Sequence, residues 1–162
     1  MATGVERFLE VAGGVLGRPI EVRTFPEGTR TAEDAARAVG CDVAQIVKSL
    51  VFMADDAPVL ALTSGANRVD TARLAEVLGA RGVRRADADE ARAASGFAIG
   101  GTPPFGHPAP VRTVLDPDLL AFGEIWAAAG AADAVFALTP SELRDAAGAT
   151  VAAFREERPD AR

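Results

Sequence analysis

A chain of 162 residues, 49% hydrophobic and 25% charged, has the length and balance of one globular domain able to bury a sizeable core. Its formal net charge of −6 excludes a broad basic face that would track many phosphates, while leaving room for a local site that holds one or two. No apolar run approaches about 18 residues, the start Met1-Ala2-Thr3-Gly4-Val5-Glu6 lacks a secretion signal, and the single cysteine, Cys41, excludes an internal disulfide, so a cytoplasmic protein with no membrane partner is expected.

A helix is expected from Val5 to about Val15, stopped at Gly17, and a strand over Ile20–Phe25 that ends in Pro26-Glu27-Gly28. Thr31 caps a helix with an acidic first turn, its apolar face formed by Ala32, Ala35, Ala36 and Val39, and Gly40 stops it. Ile46 to Met53 reads as a strand, apolar on both faces. Asp55-Asp56-Ala57-Pro58 turns it into a second strand, Val59–Thr63. A polar loop, Ser64–Arg68, leads to a helix capped by Asp70 and closed by Gly79, then a short strand Val83–Ala86 and a helix Asp87–Ala94. Phe97 to Pro110, with three glycines and four prolines, suits neither helix nor central strand. Strands follow at Val111–Leu115, Glu124–Ala127 and Ala134–Leu138, with a helical turn opening at Asp116-Pro117. Thr139-Pro140 starts the last helix, and a closing strand is expected near Thr150–Phe154. Mixed strands and helices, hairpins beside crossovers, predict an α/β fold: a mixed central sheet, curled towards a barrel, surrounded by helices. We read 1–162 as one domain with its core at about 20–154 and a mobile tail at 155–162.

Sixteen arginines accompany one lysine, Lys48, in the middle of the first hairpin strand. The period of two places it with Ile46, Leu50 and Phe52. An ammonium among such neighbours needs an anion or a route to water, so it either pairs with an internal carboxylate, snorkels, or meets the phosphate or carboxylate of a ligand. The Gly100–Pro110 loop is either a connector or a rigid display of backbone N–H groups of the kind that stabilises an oxyanion. It lacks the Gly-Lys-Ser/Thr of a phosphate loop and the spacing of a dinucleotide fingerprint. His107, the only histidine, lies in the same loop, where it serves either structure or substrate. One histidine and one distant cysteine give no metal-ligand cluster and no catalytic pair, and there is no Gly-x-Ser-x-Gly elbow. Cys41 reads as a small buried residue. Neither metal nor cofactor is expected.

The strand Gln45-Ile46-Val47-Lys48-Ser49-Leu50-Val51-Phe52, the Thr31-to-Gly40 helix before it and Gly100-Gly101-Thr102-Pro103-Pro104-Phe105-Gly106-His107 after it resemble the YbaK/prolyl-tRNA-synthetase-associated editing domain family. Val69–Ala75 and the strand–helix–strand unit over Asp133–Phe154 are similar to the family's segments in the same order. The resemblance spans about residues 20 to 154.

It implies a trans-acting aminoacyl-tRNA deacylase that hydrolyses the ester of mischarged tRNA, with tRNA(Pro) carrying alanine or cysteine as the first candidate. The implied partners are the 3′ end of aminoacylated tRNA and an aminoacyl-tRNA synthetase. Carried over by residue, Lys48 would hold a phosphate or ribose group, and Gly100 and Gly101 would offer amides to the aminoacyl carbonyl. Pro104 would stiffen the loop, while Phe52, Thr102, Phe105, Gly106 and His107 would contact substrate. Water or a substrate hydroxyl would attack, so no protein nucleophile is required. The alternative is a non-catalytic module of the same fold that binds a nucleotide, an aminoacyl-adenosine or a protein. Neither the edited amino acid nor the oligomeric state is legible.

Overall fold

The computed structural model describes residues 2–26 and 31–157; the expected turn at Glu27-Gly28 and the tail from Arg158 onward lie outside them. In chain order the elements are α1 (Gly4–Leu16), β1 (Val22–Thr24), α2 (Ala32–Val39), β2 (Ile46–Ala54), β3 (Ala57–Ser64), α3 (Thr71–Leu78), β4 (Val83–Arg85), α4 (Ala88–Ser95), β5 (Arg112–Leu115), β6 (Ile125–Ala128), β7 (Ala134–Leu138), α5 (Pro140–Ala147) and β8 (Thr150–Val151). Short 3₁₀ turns at Val43–Gln45 and Pro117–Ala121 precede β2 and follow β5.

Local chemistry sets most of these boundaries. Thr3 with Glu6, Asp87 with Glu90 and Thr139 with Glu142 form capping boxes that satisfy the first N–H groups of α1, α4 and α5. Asp55 and Asp56 make the β2–β3 turn in two residues, both at positive φ (48° and 67°), a conformation aspartate tolerates in tight hairpins. The turn is thus shorter than the four residues expected, and Ala57 and Pro58 belong to β3.

The eight strands form one mixed sheet whose path, β1-β7-β6-β2-β3-β5-β8, runs from edge to edge without closing, with β4 attached to β2. Pairing is antiparallel for β1·β7, β6·β7, β2·β3 and β2·β4, and parallel for β2·β6, β3·β5 and β5·β8. One face packs Val47, Val51, Leu60, Leu62, Leu115 and Phe136 against Phe8 of α1, Ala91 of α4 and Leu143 of α5. On the other, α3 covers Phe52, Val59 and Ala61 with Leu74 and Leu78, while α2 covers Ile46 with Ala35 and Ala36.

β8 ends at Val151 rather than near Phe154. The reason lies in Phe154, whose ring is buried with Leu74 and Leu78, so the chain leaves β5 to put it there. Arg155 then bridges to Val69, and Glu156 N donates to Arg68 O at 2.7 Å. Among the described residues, no helix is long and apolar enough to cross a membrane.

Candidate functional site

The site begins with an interrupted strand edge. β6 accompanies β2 only over Ile46 and Val47, and β4 joins it only from Phe52 to Ala54. Lys48 to Val51 therefore have β3 on one side and no strand on the other. Val51 O accepts from Ala86 N across this gap at 3.1 Å. Residues two apart in a strand turn their peptide groups the same way, so Ser49 presents its N–H and C=O to the opening. A cavity of about 670 Å³ occupies the region, lined by Lys48, Ser49, Phe52, Gly100, Thr102 and Trp126 among others. That volume lies in the ordinary range for small-ligand sites.

Lys48 shares its face with Ile46, Leu50 and Phe52, and sits between the apolar cluster under α2 and the one under α3. Its Nζ donates to the backbone carbonyl of Asn67 at 2.5 Å. None of the ion pairs among the described residues includes it. Burial lowers its pKa from the ordinary 10.5; Glu33 opposes this, Arg68 and Arg85 add to it, and Asp116 opposes it. The internal-carboxylate alternative for Lys48 is therefore not realised, and the ammonium keeps donor capacity for a ligand.

The Asn67 carbonyl is held in place by a buried carboxylate. Asp116 accepts from Ser64 N at 3.1 Å and from Asn67 Nδ2 at 2.8 Å through one oxygen, and from Asp118 N at 2.9 Å through the other. Asn67 Nδ2 also donates to Asp118, which pairs with Arg155 at 3.1 Å. This network fixes the 64–68 loop at the rim of the cavity.

The glycine loop arrives from the end of α4. Ser95 Oγ bonds the carbonyls of Ala91 and Phe97, and Ala98 O then accepts from Gly101 N (3.0 Å) and Thr102 Oγ1 (3.2 Å). The Gly101 amide is thereby committed within the loop. Gly100, at φ 89°, lines the cavity, and among the described residues its amide has no backbone partner. Of the two amides assigned by the resemblance, only Gly100's is left without a backbone partner among the described residues.

Lys48, Phe52, Gly100 and Thr102 thus converge on one cavity, whereas Gly101, Pro104, Phe105, Gly106 and His107 lie outside its lining. Pro104 and Phe105 are buried, and Phe105 packs its ring on Phe8 and Phe136 at 5.4 and 5.9 Å between centroids. His107 Nε2 bonds the Pro103 carbonyl at 2.8 Å and meets the Phe97 ring edge-on. These residues brace the loop from behind.

Sequence reasoning missed Arg68, Arg85 and Glu33 on the cavity wall, Trp126 opposite Ile46, and Ser49, whose Oγ is buried with no partner among the described residues. A signal for the first existed in the polar 64–68 loop, which read only as a connector; nothing local identified the others. The charged side chains lining the cavity are Lys48, Arg68, Arg85, Glu33 and Glu156, three cations against two anions in a protein of net charge −6. Among the described residues no three His, Cys, Asp or Glu side chains are grouped to hold a metal.

The model of the aminoacyl-tRNA editing domain matches residues 26–146. A solved structure described as a candidate trans-editing enzyme for prolyl-tRNA synthetase is 42% identical, covers 97% of this chain and 100% of its own, and superposes with a TM-score of 0.88. Hypothetical protein APE2540 is 28% identical over 92% of this chain and 99% of its own, with a TM-score of 0.83. Uncharacterized protein YwhH of Bacillus subtilis (strain 168) is 30% identical over 79% of this chain and 82% of its own length. The proline–tRNA ligase of Streptococcus sanguinis (strain SK36) is 31% identical over 65% of this chain, which spans 17% of the ligase. With this cavity, this glycine loop and a family match over most of its length, the chain belongs to the aminoacyl-tRNA editing domain family.

Proposed function

We propose that the protein is a deacylase acting in trans on mischarged tRNA, with tRNA(Pro) bearing alanine or cysteine as its substrate. Membership of the editing family, the likeness to a candidate trans-editing enzyme and the occurrence of related segments in proline–tRNA ligases support this reading. The observation that carries it is that the single lysine and Gly100, whose amide has no backbone partner among the described residues, line one cavity.

In this reading Lys48 holds a phosphate or ribose oxygen of the tRNA terminus, and Gly100 N–H donates to the ester carbonyl. A water oxygen attacks the carbonyl carbon, directly or after a hydroxyl of the substrate has taken over the acyl group as a new ester, and negative charge collects on the oxygen facing the amide. The bond to the ribose oxygen then breaks, and that oxygen leaves with a proton while the amino acid departs as its acid. Because an aminoacyl ester is already activated, placement and polarisation suffice without a protein nucleophile. The three cations at the cavity suit a grip on the terminal nucleotides alone.

The experiment is hydrolysis of tRNA(Pro) charged with alanine or cysteine by the purified protein. Lys48→Ala is expected to reduce kcat/KM by about 30-fold or more, with an unchanged circular dichroism spectrum. Saturable binding without turnover on a full set of mischarged tRNAs would identify a binding module instead.

A further inference from the structure

Trp126 stands two positions from Lys48 along the site face: it pairs with Ile46 in the β2–β6 register, and Ile46 and Lys48 share one side of β2. It is half-buried and lines the cavity. The guanidinium of Arg23, on β1, lies 5.5 Å from the centroid of Trp126 and 5.5 Å from that of Phe25. Arg23 is exposed, and among the described residues its side chain makes no ion pair or hydrogen bond. The cavity's other aromatic residue, Phe52, is 3% exposed, so its ring offers no accessible surface to a base.

A ring that retains accessible surface, with a cation on it that has no ion pair among the described residues and an ammonium beside it, has the chemistry that holds an unpaired nucleobase and its phosphate. Fastening of β1 to the sheet does not require it, since the ladder to β7 and the Phe25 N–H to Asp133 O bond already do this.

We propose that Trp126, with Arg23 beside it, is the stacking platform for the terminal nucleobase of the nucleic acid whose ester enters the Lys48 cavity. This rests on the deacylase reading and adds a subsite to it: base on Trp126, phosphate between Arg23 and Lys48, ester at Gly100.

Trp126 is the only tryptophan, so the fluorescence of the unmodified protein reports on this site alone. Titration with the trinucleotide CCA is expected to quench it saturably, and the same oligonucleotide with an abasic 3′ residue is expected to leave it unchanged. Equal quenching by both, or by neither, overturns the platform. In deacylation assays Trp126→Ala should raise KM roughly 5- to 150-fold with kcat held within about threefold, and Trp126→Phe should restore most of the loss. An unchanged KM in Trp126→Ala, or a fall in kcat alone that phenylalanine does not restore, overturns it too. The two readings fail separately. Lys48-dependent hydrolysis with no CCA-induced quenching sinks the platform and leaves the deacylase; CCA-specific quenching with no hydrolysis of any mischarged tRNA sinks the deacylase and leaves the platform.

Discussion

At Lys48, burial works against the charge and no carboxylate at contact distance offsets it, so its pKa falls below 10.5. Between the folded value and 10.5 the folded chain binds fewer protons than the unfolded one. Stability therefore rises with pH across that window, and the full penalty of the buried ammonium is present below it. In the proposed deacylase activity runs the opposite way, because only a protonated Lys48 would hold a phosphate. We expect kcat/KM, corrected for uncatalysed ester hydrolysis, to fall with rising pH before free lysine would titrate. Lys48→Arg, which stays charged throughout, should lose affinity through its larger planar head yet show no such limb. A limb that survives in Lys48→Arg would place the titrating group elsewhere. His107 is not that group. A carbonyl only accepts, so the bond to Pro103 puts the proton on Nε2, and burial moves the ring's pKa below 6.5. Lys48 was legible because a lone ammonium in an apolar strand demands a partner. His107 drew attention by its place in the loop, but the sequence does not show which side of that loop faces the cavity.

The glycine loop shows how one element separates two adjacent residues of the same type. A Cβ on Gly101 would come within 2.8 Å of Ala131 Cα, a backbone atom that cannot swing aside, whereas a Cβ on Gly100 would meet only the Ala132 Cβ at 3.8 Å. Gly100 has the positive φ instead, which costs an alanine about 1–2 kcal/mol without moving a neighbour. Gly101→Ala is thus expected to push the loop off the β6–β7 turn and reduce kcat at least tenfold, and Gly100→Ala to lower thermal stability with a smaller effect on kcat. Comparing kcat and melting temperature in the two variants checks this; equal losses in both would show that loop placement is not what matters. The helices were nearly all legible, since Thr31, Asp70, Asp87 and Thr139 start them and Gly17, Gly40 and Gly79 close the first three. The hairpin was legible through its aspartates. The early end of β8 was not, because what stops it is the burial of Phe154 under α3, a contact some eighty residues away in the chain.

Across the whole molecule, what escaped the sequence was pairing order. Strand composition announces that β2, β4 and β6 exist, but their joining the same edge of β2 at its two ends, with a gap between, depends on long-range packing. That gap is the cavity, and helix α1 supports it from a distance although it lies before the matched family segment. Phe8 is fully buried, with ring centroids 5.4 Å from Phe105 and 5.0 Å from Phe136. Arg7 bonds Gly96 O at 2.9 Å and lies 4.5 Å above Phe97. Just beyond the helix, Arg18 clamps Glu142 of α5 at 2.7 Å. α1 is thus the backing against which the Gly100 loop is set. Phe8→Ala removes the centre of that backing and should cost about 3–5 kcal/mol, read as a lower urea midpoint with an unchanged slope. If the backing also sets loop position, kcat should drop at temperatures where the variant is fully folded, because Phe105 would sink into the vacated space and draw Gly100 away from Lys48. Phe8→Leu, which fills much of that space, should recover kcat more completely than stability. Full kcat in a folded but destabilised Phe8→Ala would show that α1 stabilises the domain without shaping the site.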